Sequence, residues 1–156
     1  DAPSHPAFAY RPETGEEAWK FYTIPGPGEP GHDSWEGDDW EHGGAPVWIT
    51  GSFDPELNLT YWGVGNPGPD WNAAQRPGDN LYSDSVVALD ADTGELKWHF
   101  QFTPNDGYDY DAVQVPLSWT SRTPAARACS MMSAAKSISK TGGRMHGLSC
   151  TMTLLG

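Results

Sequence analysis

Two stretches of this chain repeat one another. Ala9, Thr14, Gly15, Trp19 and Phe21 recur as Ala88, Thr93, Gly94, Trp98 and Phe100, each 79 positions later. Both copies read as strand, tight turn, strand. Val86-Val87-Ala88-Leu89 is rich in β-prone residues. Asp92-Thr93-Gly94 is a hairpin turn, because Gly reaches positive φ without steric cost. Leu96, Trp98 and Phe100 then alternate with polar residues, the period-two signature of a half-buried strand.

A hairpin repeated with a fixed tryptophan suggests radial repetition, as in a β-propeller. Two ordinary hairpins in one all-β domain fit the same pattern. The 18 Gly and 14 Pro among 156 residues favour turns over long helices. Eight Trp argue against a disordered linker. Between the copies, residues 25–44 are Gly, Pro and acid without periodicity. This stretch is expected to be a long ordered loop anchored by Trp35 and Trp40. Strands are expected at Val47–Thr50 and Leu57–Trp62, with the turn at Phe53–Glu56. A second long loop runs from Gly63 to Asn80, and a polar turn from Thr103 to Gly107.

Charge divides the chain. All 21 acidic residues lie in residues 1–111, with four bases, whereas residues 112–156 hold five bases and no acid. The acidic part argues against nucleic acid as its partner, since phosphate repels it; it is compatible with cation binding, and a solvated acidic surface is the alternative. No run of about 18 apolar residues exists for a transmembrane helix, and no signal peptide is visible at Asp1–Pro6. The first Met is Met131, so the chain reads as a piece of a longer protein. Cys129 and Cys150 have neither CxxC nor zinc spacing.

Some residues invite chemistry. Asp109 and Asp111 are two apart, so in an extended segment both face one side, opposite Tyr108 and Tyr110. Converging carboxylates repel unless a cation or proton intervenes, which allows a hard-metal site; an exposed acidic strand end is the bland alternative. Asn66, in Gly63-Val-Gly-Asn-Pro-Gly-Pro69, either caps its own turn or offers its carbonyl oxygen to a cation. Trp48 follows Gly43-Gly-Ala-Pro46, which leaves room for a planar ligand beside its ring. Core packing is the alternative there.

These features occur together in one pattern. Gly43 to Pro55, Tyr61 to Pro69, Arg76-Pro-Gly-Asp-Asn80, Ala88 to Trp98 and Thr103 to Asp111 resemble the pyrroloquinoline-quinone (PQQ) dependent alcohol dehydrogenases, of the methanol and ethanol dehydrogenase type. The resemblance spans residues 7 to about 116. It implies an all-β fold, part of an eight-bladed β-propeller of about two to three blades; the Ser-, Thr-, Ala- and Met-rich residues from about Leu117, without clear period, add an irregular C-terminal tail. The Thr14-Gly15/Trp19 and Thr93-Gly94/Trp98 pairs resemble the family's tryptophan-docking motif. Trp48 resembles the tryptophan beneath the PQQ ring, Asn66 a metal-ligating asparagine, and Asp109 the catalytic aspartate. Asp111 resembles the extra aspartate of lanthanide-using members, so Asn66, Asp109 and Asp111 form the implied metal set, for Ca2+ or a lanthanide ion.

The implied reaction is oxidation of a primary alcohol to an aldehyde by hydride transfer to metal-bound PQQ, with Asp109 taking the hydroxyl proton. A small alcohol substrate, an electron acceptor such as a cytochrome c and a periplasmic location come with it. The family's vicinal disulfide, metal-ligating glutamate and PQQ-contacting base have no counterpart here, so this chain alone is expected to be inactive. A non-catalytic propeller scaffold is the alternative, and the trio Trp48, Asn66 and Asp109 speaks against it. After Pro116 the family continues with an apolar strand, but here the chain reads Leu117-Ser-Trp-Thr-Ser121. Residues 1–116 are thus expected to be the propeller part, and 117–156 a tail outside the family, as from a shifted reading frame near Leu117.

Overall fold

The alternation of apolar and polar side chains at each end of the repeat produces a hairpin each time. In the computed structural model of the protein, which describes residues 6–116, β1 (Ala7–Tyr10) pairs antiparallel with β2 (Glu17–Phe21). Gly15 at φ 72° closes the turn, and its N–H donates to Arg11 O at 2.8 Å. The second copy repeats this geometry with β5 (Ser85–Asp90) and β6 (Leu96–Gln101). Gly94 has the same φ of 72°, and its N–H donates to Asp90 O at 2.9 Å. Ala9 faces Trp19 across the first hairpin, as Ala88 faces Trp98 across the second.

Two further strands, β3 (Ser52–Asp54) and β4 (Leu59–Gly63), complete a four-stranded antiparallel sheet in the order β3-β4-β5-β6. The β1-β2 hairpin forms a sheet of its own. Inside strand β5, residues 86–89 are buried on both faces, as expected for a continuous apolar run in a central strand. Trp19, Ile24, Trp35, Val64, Val87 and Leu89 belong to one core, each such apolar side chain contributing about 1.5–3 kcal/mol on burial. Among the described residues the elements are these six strands and three short 3-10 turns, at His32–Ser34, Asp39–Glu41 and Ala73–Gln75. No helix among them is long and apolar enough to cross a membrane.

The β3-β4 turn differs from expectation. It lies at residues 55–58 rather than at Phe53–Glu56. Asp54 Oδ1 accepts from the N–H of Glu56 (2.9 Å) and of Leu57 (3.2 Å), and Asn58 at φ 53° completes the reversal. A short carboxylate that satisfies two amides ahead of it sets where the chain turns. Val47–Thr50 forms no strand, because the chain just before it bonds to a loop instead. Ala45 N–H donates to Asn66 O (2.7 Å) and Pro46 O accepts from Gly65 N–H (2.9 Å). The 25–44 loop is anchored as expected. Trp35 is buried and its Nε1 donates to Leu81 O at 2.6 Å, while Trp40 meets His32 edge-on at 5.2 Å. The tail expected over 117–156 lies outside the described residues.

Candidate functional site

The main chain of two loops comes together first. Gly44 bridges Pro67 in antiparallel fashion, and Gly68 N–H donates to Gly43 O at 2.7 Å. This pairing holds Asn66 at the end of β4. Opposite it runs the segment after β6. Asp111 Oδ1 accepts the N–H of Asn66 at 3.0 Å across 45 positions of sequence. The approach needs glycine at 65, where a Cβ would stand 2.7 Å from that same oxygen.

Asp109 and Asp111 do not sit on an extended strand. Both adopt left-handed backbone, with φ 60° and 52°. Asp106 imposes this shape. It is buried, with Oδ1 accepting from Tyr108 N–H (3.0 Å) and Oδ2 from Tyr110 N–H (2.8 Å). The chain therefore wraps around one carboxylate, and the Tyr108 and Tyr110 rings pack on each other at 5.4 Å. Asp109 is exposed at the surface of this loop. Desolvation and the carboxylates of Asp111, Asp70 and Asp106 hold its pKa above the ordinary carboxylate value.

Three further residues complete the surroundings. Arg76, buried, donates Nε to Pro69 O (3.2 Å), Nη1 to Asn80 Oδ1 (2.9 Å) and Asn105 Oδ1 (3.2 Å), and Nη2 to the main-chain oxygen of Asp106. Burial pulls its pKa down, and the carboxylates of Asp106, Asp84 and Asp70 oppose that. Asp70 accepts from Asn66 Nδ2 at 2.7 Å. Asp84 is 1% exposed, and neither carboxyl oxygen has a hydrogen-bond partner among the described residues. Desolvation, then Asp106 and Asp111, push its pKa up to about 8 against the opposing charge of Arg76, so its carboxyl is neutral at pH 7. Its own N–H donates to Gly65 O at 2.9 Å, which places the Asp84 backbone and the Asp111 carboxylate on the same glycine.

Trp48 is 59% exposed, so it is not part of the core. Its flat ring is open, two residues beyond Pro46, which bonds Gly65. The structure thus joins Asn66 directly to Asp111, couples Asp109 to Asp111 through charge, and ties the Trp48 segment to the same loop. Among the described residues no three of His, Cys, Asp and Glu stand together as a cation cage. The donors present are oxygen only, two carboxylates and one amide. That chemistry fits a hard cation, with coordination left open for further oxygen ligands. Asp70, Asp84, Asp106 and Arg76 escape sequence reasoning as members of this site. The available signals were an acid abutting the apolar run of β5 and one arginine between two acidic loops.

Comparison with known proteins follows the same line. Residues 1–141 match the family described as "PQQ: Glucose/ethanol/alcohol dehydrogenase, beta-propeller domain". The chain is 46% identical over 128 residues to quinoprotein alcohol dehydrogenase PedH of Pseudomonas putida, covering 71% of this chain and 21% of that protein. It is 42% identical over 124 residues to the lanthanide-dependent methanol dehydrogenase of Methylorubrum extorquens, covering 67% of this chain and 20% of that one. The structure resembles a europium-containing methanol dehydrogenase with TM-score 0.63 at 36% identity, over 73% of this chain and 24% of the other. The chain therefore spans about a fifth of the length of these curated relatives.

Proposed function

Since the chain belongs to the PQQ-dependent alcohol dehydrogenase β-propeller family, we propose that it is the part of such an enzyme that carries the catalytic base and half of a cation site. The observation that supports this most is the 3.0 Å bond from Asn66 N–H to Asp111, with Asp109 next along the same loop. Asn66 Oδ1 and the carboxylates of Asp109 and Asp111 would hold a Ca2+ or lanthanide ion, and Trp48 would offer its open ring to the cofactor. Bound there, PQQ would supply a hydride acceptor for the alcohol carbon, and the cation would supply Lewis-acid chemistry.

Asp109 does the proton chemistry. Its exposed position lets an alcohol hydroxyl reach it, and a carboxylate there can accept the hydroxyl proton. A neighbouring cation favours its ionised form. The alcohol loses its hydroxyl proton to Asp109 and a hydride from carbon, and leaves as an aldehyde. The substrate is a small primary alcohol, the electrons pass on to an acceptor such as a cytochrome c, and the enzyme works in the periplasm. The chain alone is inactive, because further oxygen ligands come from outside it. The test is alcohol oxidation by the full-length enzyme loaded with PQQ and either metal. Asp109→Asn abolishes turnover while the protein stays folded; full activity in that variant would sink the proposal.

A further inference from the structure

The side-chain amide of Asn66 has two N–H donors and one oxygen acceptor. Its donor side is engaged. Nδ2 donates to Asp70 Oδ1 at 2.7 Å and, more weakly, to Pro67 O at 3.4 Å. Turning the amide over would set its oxygen against a carboxylate oxygen at that short distance, two acceptors facing each other. Asp70 thus selects one of the two amide orientations, a choice that a hydrogen-bonding partner must make.

Asp70 is itself held. Its loop is bolted to the buried Arg76, which donates Nε to Pro69 O at 3.2 Å and Nη2 to Asp70 O at 3.5 Å. Arg76 in turn grips Asn80, Asn105 and the main chain at Asp106, the residue that shapes the Asp109 loop. The main chain of Asn66 is fixed from the other side by Asp111. Two carboxylates therefore clamp Asn66, one at the backbone and one at the amide.

We propose that Asp70 is a positioning residue for the cation site: by taking the donor side of the Asn66 amide it keeps Oδ1 turned toward the cation. The proposal rests on the cation-site reading above. Groups that orient a metal ligand from behind are typically worth about 10–100-fold in metal affinity. Asp70 acts here without contacting the cation.

The experiment uses trivalent terbium alone, titrated by luminescence into the full-length enzyme freed of metal and cofactor and into its Asp70→Ala, Asp70→Asn and Asp111→Ala variants, with circular dichroism as the check on folding. The Asn66 side-chain amide is followed by NMR in the metal-free proteins. Asp70→Ala is expected to weaken terbium binding by about 10–100-fold and to shift the Asn66 amide protons upfield. Asp70→Asn keeps an acceptor, so it is expected to preserve the amide shifts and to lose much less affinity. Wild-type affinity in Asp70→Ala, with loss in Asp111→Ala, would overturn the role of Asp70 alone. An Asp70→Asn variant as weak as Asp70→Ala would show charge or direct ligation instead and overturn it too. If Asp70→Ala does not fold, Asp70→Asn decides by itself, since a large loss there contradicts the clamp. No terbium binding by the wild type would overturn the cation site and this proposal with it.

Discussion

The indole of Trp19 lies flat against Gly94, in the turn of the other repeat. A Cβ at position 94 would stand 2.6 Å from two ring atoms of Trp19, whose Nε1 donates to Ala91 O at 2.9 Å. The tryptophan of one hairpin thus docks on the glycine turn of the next, so the repeat is also the joint between the two sheets. Gly15 has the same φ but nothing within 4 Å of the corresponding position. Gly94→Ala should cost about 3 kcal/mol, from left-handed backbone strain plus the clash with Trp19. Gly15→Ala should cost only about 1 kcal/mol, from the backbone alone. Urea unfolding of the two variants checks this, and equal losses would remove the docking role.

Asp84 gives the chain a pH dependence of known sign. In the folded state its carboxyl keeps its proton up to about pH 8, against 3.8 for an ordinary aspartate. The folded state therefore binds more protons than the unfolded state in that window, and stability falls as pH rises. The contribution is intact below about pH 4 and is lost as pH rises through about 8. Asp84→Asn mimics the neutral carboxyl and should remove this slope. It should leave the variant more stable than wild type at pH 9 by at most several kcal/mol, at about 1.4 kcal/mol per pKa unit. The check is the difference in urea midpoint between the two proteins from pH 4 to 9.

Asp106→Ala should unfasten the loop that carries Asp109 and Asp111. Two amides, of Tyr108 and Tyr110, lose a charged acceptor, at a cost of about 2–4 kcal/mol. Hydrogen exchange at those two amides should accelerate more than at β5, and the Tyr108–Tyr110 ring contact should vanish from NMR spectra. Unchanged exchange at both would contradict the role given to Asp106.

Asp111 and Asp109 should separate under mutation in the full-length enzyme. A trivalent ion gains more from an extra carboxylate than Ca2+ does. Asp111→Ala should therefore weaken lanthanide-supported activity much more than calcium-supported activity, and it also frees the Asn66 N–H. Asp109→Asn should stop turnover with either metal. Metal-reconstituted assays of both variants distinguish the two roles.

What the sequence determined by itself is local or periodic. The 79-residue repeat specifies both hairpins, because a glycine free to take positive φ and a period-two run are written in adjacent residues. Trp35 and Trp40 mark the anchored loop, since rings of that size seek burial or another ring. The candidate residues Trp48, Asn66, Asp109 and Asp111 were legible as residue types, but not their relation. Tertiary structure alone decided that Asn66 meets Asp111 and Asp70, that Asp109 and Asp111 take left-handed backbone around Asp106, that Trp48 is exposed, and that the buried Asp84 carboxyl has no hydrogen-bond partner among the described residues. The Asn66–Asp70 and Asp106 loop contacts are local in sequence, but their setting depends on groups 30 and 45 positions apart, Arg76 with Asp106 and Asn66 with Asp111. Desolvation and long-range hydrogen bonding set their energies, and neither is a property of neighbouring residues in the chain.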